Sequence, residues 1–513
     1  MLHTLDYVVI GVYLIVLLAI CVRVTRSSPD VDELFLAGRT LGPAVIGFSL
    51  FASNISSTTL IGLPGAAWEH GISVANYEWM AGLVLVFTAF FVAPVFIRHR
   101  ITTIPEMLEK RFDPRLRRYL SGTSLFLSIV LDTAGSLYAG ALVLMLFIPG
   151  LSLGPTCAVM AVFAGLYTAA GGLRAVAYTD VIQAVVLLVG SAVLCLLVFG
   201  EFDYNWSRVV ENVDPQHMSL IRPMDDPALP WLGTLIGLPI LGFYYWTMNQ
   251  YVAQRLLGAR NVDAAARGAM LAAALKLLPL FLMVMPGAMA AALLPDLERA
   301  DTVLPRLIIE YAPVGLTGLM VAGLMAAIMS SVDSTLNSAS TLIIVDFVKP
   351  RKPDITQKQL ALWGRYSTLT LMLLAAVWAP MIDKFPGLFA YLQQTFSYVV
   401  PPLVAAFAVG FCSRKVGKNA AFRGVVLGHV VSVALFAGSV TDQHQIHFTI
   451  VAGLLFVVTV LWIYLMHWLR PETLDAEQAS TAALTPEDSL SPAVKGMAAV
   501  VVALTAIMVV AFW

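Results

Sequence analysis

Fourteen times along this chain an apolar run long enough to cross a bilayer is followed by a polar break. The runs fall at about 5–22, 44–68, 76–97, 119–148, 153–170, 180–199, 230–250, 269–294, 312–345, 363–382, 387–411, 420–438, 446–468 and 494–512. A helix of roughly 20 residues spans the hydrocarbon of a membrane. Water is absent there, so each backbone N–H and C=O must be satisfied internally, and only helices and closed barrels can cross. The length of these runs selects helices. Composition agrees, with 59% hydrophobic and 12% charged residues, where a soluble domain carries about 25% charged. The chain is read as an all-α integral membrane protein with about 14 transmembrane helices.

Charge tests both the count and the direction. With the N-terminus outside, 25 of the 31 basic residues fall in inner segments, from Arg23 and Arg98 through Arg255 and Lys349 to Arg470 and Lys495. Arg208, Arg222, Arg299, Arg306 and Lys384 fall outside, and Lys276 lies within a span. This asymmetry follows the positive-inside rule and places both termini outside. A net charge of −1 gives no footprint for nucleic acid. The four cysteines (Cys21, Cys157, Cys195, Cys412) lie in or beside apolar runs and read as buried thiols, not as a disulfide framework. The first run has no basic leader or small-residue cleavage site, so no cleavable signal is expected. Residues 471–493 read as a polar inner linker, and 494–513 as a final, appended span.

One run is unlike the rest. Residues 44–70, AVIGFSLFASNISSTTLIGLPGAAWEH, are apolar at both ends and polar in the middle, with Gly62, Pro64 and Gly65 close behind. Two readings fit. The hydroxyls bond their own backbone in a kinked helix, or the helix breaks at the membrane midplane, where transporters hold substrate and ion. The run 312–345 exceeds what a bilayer needs and is expected to tilt or break around GLMAAIMSSVDSTLNSAST.

An ionisable group within a span costs roughly 2.5–3.5 kcal/mol on insertion scales. Glu78, Asp180, Lys276 and Asp333 stand out, with His429 weaker. Each has a plain alternative. Glu78 can sit at the interface beside Trp79, Lys276 can snorkel unless Glu78 pairs with it, Asp180 can be a helix N-terminal charge, and His429 can be packed inertly. Asp333, between Ser331 and Ser334 in mid-span, is the hardest to place structurally. Carboxylate, hydroxyl and carbonyl oxygens suit a hard cation such as Na⁺. Phe243-Tyr244-Tyr245-Trp246 before Asn249-Gln250 suits a polyhydroxylated ligand or an interfacial aromatic belt.

Seven segments then resemble one family in family order: DELFLAGRTLG, SLFASNIS, YEWMA, TIPEMLEKRF, LYTAAGGLRAVAYTDVIQ, YYWTMNQYVAQR and SSVDSTLNSASTL. The chain resembles the sodium:solute symporter family over roughly 1–470, in its sodium–glucose cotransporter branch. The resemblance implies a LeuT-type fold of two inverted five-helix repeats with discontinuous helices, at about 44–199 and 230–411. It implies alternating access driven by Na⁺. The family's sodium site carries over onto carbonyls of Ala52, Ile55 and Ala327 and hydroxyls of Ser330 and Ser331. A second sodium, where members have one, corresponds to Asp180, Ser330, Asp333 and Ser334, and an Asp at 333 departs from the pattern.

The branch's sugar positions carry over as Asn54, Glu78, Lys276 and Gln393, with Tyr245 as inner gate and Trp246 beside it. Thr59, Ala81 and Gly242 depart, each with a smaller or less polar residue. A hexose, myo-inositol or a sugar acid countered by Lys276 is the implied solute. The alternative is a Na⁺- or H⁺-coupled symporter of a carboxylate or amino acid. No nucleophile–base pair, metal cluster or phosphate loop suggests an enzyme, and a channel or sensor would not need the two-helix ion site. Membrane lipid and a small solute are the expected partners, and the protein is expected as a monomer or weak oligomer in a cell membrane, a bacterial inner membrane by its short loops.

Overall fold

A computed structural model describes residues 2–24, 36–168, 173–385, 387–441, 443–472 and 490–513. Regular structure among them is helical, apart from two isolated bridges, Leu41 with Ala259 and Arg222 with Pro230. We label the long helices in order: α1 Thr4–Val24, α2 Pro43–Asn54, α3 Ser57–His70, α4 Ile72–Arg98, α5 Pro114–Phe147, α6 Leu153–Thr168, α7 Leu173–Gly200 and α8 Trp231–Phe243. There follow α9 Val262–Leu293, α10 Leu316–Arg351, α11 Lys358–Lys384, α12 Leu388–Val399, α13 Pro401–Cys412, α14 Lys418–Val440, α15 Phe448–Leu469 and α16 Pro492–Ala511. Every apolar run is helical over most of its described residues. Among the described residues nine helices are long and apolar enough to cross a membrane alone, and two bent pairs, α2–α3 and α12–α13, raise this to eleven. α1, α6 and α8 are helical over their described residues and stand outside that count. The segment LYTAAGGLRA and the 471–493 linker lie partly outside the described residues.

The 44–70 run breaks; it does not merely kink. α2 ends at Asn54, Ile55 turns to φ −75° and ψ 58°, and Ser56 is extended before α3 starts. The two halves meet at 54°. Thr59 Oγ1 donates to the Asn54 carbonyl at 2.6 Å, so part of the freed backbone is satisfied by the break's own hydroxyls. α8 breaks in the same manner. It widens through Tyr244–Met248, and Asn249, at φ −68° and ψ 120°, caps a separate half-helix, Gln250–Leu257. α2–α3 and α8 with its following half-helix are therefore both discontinuous.

The 312–345 run corrects the expectation of a break: α10 is regular from Leu316 to Leu342. Its hydroxyls are absorbed by the preceding turn, as Ser331, Thr335 and Thr341 each donate to the carbonyl four residues back at 2.7–2.8 Å. A hydroxyl bonded this way is satisfied within its own helix and at most bends it.

Five helices contain a widened π-turn, at Thr88–Val92, Ser128–Thr133, Tyr244–Met248, Leu280–Val284 and Ile343–Val348. Three of these precede a proline by two residues (Pro94, Pro286, Pro350), whose missing N–H explains a local change of register. The other two have no such proline. They carry Asp132 and the Tyr245–Trp246 pair, and π-turns without a backbone cause often mark functional positions.

Small residues bring the central helices together. A Cβ on Gly47 would lie 2.7 Å from Leu271, and one on Gly268 2.5 Å from Ile46, so α2 and α9 touch almost backbone to backbone. α16 packs one face, Val494, Ala498 and Val501, on the α4–α9 side, and its end accepts a bond from Leu220 N–H at the Phe512 carbonyl, 2.9 Å. His429 is structural, bonded to Tyr119 Oη at 3.0 Å and the Val399 carbonyl at 2.9 Å. Of the described thiols only Cys157 is buried; Cys195 is half-buried and Cys412 exposed, which corrects their reading as buried. The side chain of Cys21 lies outside the described residues.

Candidate solute cavity and ion site

The two breaks face one another across a cavity of ≈ 100 Å³. Asn54 and Thr59 reach it from the α2–α3 break, Glu78 and Ala81 from α4, Gly242, Tyr245 and Trp246 from α8 and its widened turn, and Gln393 from α12. These are eight of the nine residues expected to meet solute. Tyr77, Asp132, Tyr251, Phe389 and Phe396 line it as well. The Tyr245 and Tyr251 hydroxyls bond each other at one end, and Tyr77 meets Phe389 edge-on at 5.0 Å. The aromatic cluster is thus a cavity wall and not an interfacial belt.

Lys276 is the ninth, and it stands one layer back. Its ammonium is fully buried and bonded to the Glu78 carboxylate, 5.2 Å from the centre of the Trp246 ring and 6.0 Å from that of Phe51. Snorkelling is excluded by this burial. α9 loses its regular turn at Lys276, ahead of Pro279, which lets the side chain point into the bundle. Glu78 and Trp79 are both buried, so neither is interfacial. Glu78 and Lys276 neutralise each other, and the cavity sees the carboxylate while the cation supports it from behind.

Three polar atoms on the cavity residues have no hydrogen-bond partner in the protein: Asn54 Oδ1, Tyr77 Oη and Asp132 Oδ2. Buried polar groups are nearly always satisfied, so a cluster of orphans facing one space calls for a ligand or water. Asp132 was not among the residues marked by sequence, although SIVLDTAGS sets a carboxylate in an apolar run just as Asp333 does.

A second polar cluster joins α2, α7, the Gln250–Leu257 half-helix and α10. Asp180 lies well inside α7, not at its start, and is fully buried. Its Oδ2 accepts from Ser49 Oγ at 2.6 Å and from the Arg255 guanidinium at 3.1 Å, and its Oδ1 accepts from Ser330. Arg255, also fully buried, donates further to Ser49 Oγ and Ser334 Oγ, both at 2.8 Å, and to the Tyr251 carbonyl. Arg255 reads from sequence as an inner-surface charge; a half-helix turning back into the bundle carries it inward. Three of the four positions matched to a second sodium, Asp180, Ser330 and Ser334, thus join a network holding a fixed cation. Asp333 is buried on the same helix.

The positions matched to the first sodium fit a hard cation. α2 ends at Asn54, so the carbonyls of its last turn, Ala52 among them, and that of Ile55 lack the following turn's donors. Ser331 Oγ donates to the Ala327 carbonyl at 2.8 Å, leaving oxygen lone pairs from both groups at one point of α10. Ser49 and Ser53 of α2 and Ser330 of α10 reach the same Asp180 carboxylate, which draws the two helices together at this level. Among the described residues no cluster of His, Cys, Asp or Glu could hold a metal, so any ion here relies on hydroxyl and carbonyl oxygen.

Comparison with known proteins agrees with this architecture. Residues 34–428 match the sodium:solute symporter family. The chain is 33% identical to the sodium/glucose cotransporter 4 of Mus musculus over 470 residues, 84% of this chain and 68% of that protein. It is 32% identical to the sodium/glucose cotransporter 1 of Mus musculus over 521 residues, 90% and 78% of the two chains. In structure it is similar to a Na⁺-coupled sialic acid symporter solved substrate-bound and outward-open, with a TM-score of 0.79, 21% identity, and 92% and 100% coverage. A nucleobase-cation-symport-1 transporter, Mhp1, gives 0.57 at 14% identity, covering 88% and 99%. These structures share the fold, the LeuT type expected from sequence. A multi-pass membrane transporter coupled to Na⁺, and not an enzyme, is what the match and the helices together describe: the chain belongs to the sodium:solute symporter family.

Proposed function

We propose that this symporter carries a sugar-like solute in the cavity between the broken helices, and one Na⁺ between α2 and α10. The observation that carries this is the wall itself. Tyr77, Tyr245 and Trp246 offer ring faces, and Asn54, Asp132 and Gln393 offer polar groups, two with unpaired acceptors, which is the complement of a hydroxylated ring. The relatives' name, sodium/glucose cotransporter, supports the same class. A sugar acid fits less well, because Lys276 already neutralises Glu78.

In the cycle we infer, Na⁺ binds the carbonyls of Ala52, Ile55 and Ala327 and the hydroxyls of Ser330 and Ser331. It fastens α2 to α10 and so sets Asn54 and Thr59, at the end of the same break, for solute. The two repeats, at about 44–199 and 230–411, then rock, and the Tyr245–Tyr251 bond opens the far side. Coupling needs only that ion and solute prefer the same conformation, each raising the other's affinity. A potential of about 100 mV supplies roughly 2.3 kcal/mol per charge, and a tenfold Na⁺ gradient about 1.4 kcal/mol. One ion supports accumulation of several hundredfold. Arg255 in the second-ion network supports a stoichiometry of one, with Asp180 countered by a tethered cation.

The shared face of Asp6 with Gly315 and of Phe512 with Leu220 supports both termini lying on the side of the 200–229 loop, the outer side by charge. The test is uptake into proteoliposomes of labelled hexoses, myo-inositol and sugar acids, with Na⁺ or K⁺ outside. Na⁺-dependent uptake of a neutral sugar or polyol is expected. Uptake of acids alone would overturn the reading.

A further inference from the structure

Asp132 does not fit a cavity built for an uncharged ring. Its carboxylate sits on the π-turn Ser128–Thr133 of α5, a stretch with no proline to require the widening. One oxygen lies against Asn249, at the break of α8, and the other is buried with no partner in the protein. No described basic residue pairs with it, whereas the other carboxylate on the wall, Glu78, is matched by Lys276. The cavity therefore presents, to whatever enters, a carboxyl group that no described basic residue counters. A buried unpaired carboxylate is strongly unfavourable. A neutral hydroxyl could give it one hydrogen bond; an ammonium gives both the bond and the countercharge, and charge-assisted bonds are the stronger kind.

We infer that Asp132 is the anchor for an ammonium group on the solute, so that the favoured substrate is an amino-substituted sugar or aminocyclitol. This rests on the sugar-like reading above. The ring would lie between Trp246 and the Tyr77 side with its hydroxyls toward Asn54 and Gln393, and its amine toward α5. The preference is for amine over hydroxyl at one ring position, and acetylating that amine removes the charge and with it the advantage.

The experiment is competition against Na⁺-driven uptake in proteoliposomes, at pH 6.5, using glucose, myo-inositol, 2-amino-, 3-amino- and 6-amino-deoxyglucose, and N-acetylglucosamine. At least one amino sugar is expected to bind about tenfold or more tighter than glucose, the acetylated sugar no better than glucose, and the preference to fall to near one in Asp132→Asn. The wild-type ranking stands even if that variant folds poorly. Neutral sugars carried with no amino sugar preferred would overturn the role of Asp132 and leave the sugar reading intact, as would a preference that survives Asp132→Asn. No Na⁺-dependent uptake of any sugar or polyol would overturn the sugar reading itself.

Discussion

Two buried carboxylates of the bundle are treated in opposite ways. Asp180 is enclosed by Ser49, Ser330 and Arg255, its charge countered and both oxygens bonded within the protein. Asp132 is left with a bare oxygen on a cavity wall. A satisfied network holds helices in a fixed relation, here α2, α7 and α10 through a side chain from the broken second half. An unsatisfied group is held open for something that arrives. In the reading proposed above, the first cluster belongs to the machinery of conformation and the second to recognition.

The comparison breaks most readily at Arg255. Arg255→Met strands Asp180 in a dry interior, and removing one partner of a buried pair costs roughly 3–5 kcal/mol. Folded yield in detergent is expected to collapse, and Asp180→Asn added to Arg255→Met to recover most of it. If Arg255→Met alone is as stable as wild type by thermal unfolding, the pair is not what binds these helices. Lys276→Met ranks next. Glu78 keeps some contact with the cavity, so the loss is expected to be smaller, about 2–3 kcal/mol, with Glu78→Gln rescuing stability. Rescue of folding without rescue of solute affinity would separate Glu78's two roles.

The smallest effect lies outside the bundle. His447 caps α15, its Nδ1 accepting from Thr449 N–H at 3.3 Å. Burial pushes its pKa down, to about 4. Unfolded, the ring titrates near 6.5. Its stabilising contribution is thus full above about 6.5 and is lost as pH falls from there toward about 4, because only the unfolded state takes up the proton in that window. Between pH 7 and pH 5 these two pKa values amount to about 2 kcal/mol, which lowers the melting temperature of a chain of this length by roughly 2–4 °C. His447→Asn, a cap that does not titrate, should flatten that slope; an unchanged slope would assign it elsewhere.

How far the sequence reached differs between these same sites. The helices were legible because bilayer length is imposed on each run separately. The α2–α3 break was legible because SNISSTT sets polar groups where hydrocarbon tolerates none. α10 misled by the same logic, since its Ser331, Thr335 and Thr341 hydroxyls are spent on their own helix. Lys276 and Glu78 were both conspicuous, and their pairing across 198 positions was one of the readings open to Lys276; the fold decides for it. Arg255 was hidden for a different reason. Counted among inner-surface charges, QYVAQRLLGAR gives no sign that its half-helix folds back beneath α2. Asp132 was visible as a charge in an apolar run, but its meaning depends on sharing a cavity with Asn54 while no described basic residue pairs with it.

The central claim is that ion and solute meet through the α2–α3 break. The direct measurement is equilibrium binding of a transported labelled solute to purified protein as Na⁺ replaces K⁺, in wild type and in Ser331→Ala. We predict that Na⁺ raises solute affinity in wild type by roughly 5–150-fold, the usual range for coupled sites. In Ser331→Ala the Na⁺ needed for half that gain rises at least tenfold, while solute affinity at saturating Na⁺ changes little. Solute binding that ignores Na⁺ in wild type, or a Ser331→Ala titration that overlays it, would contradict the account.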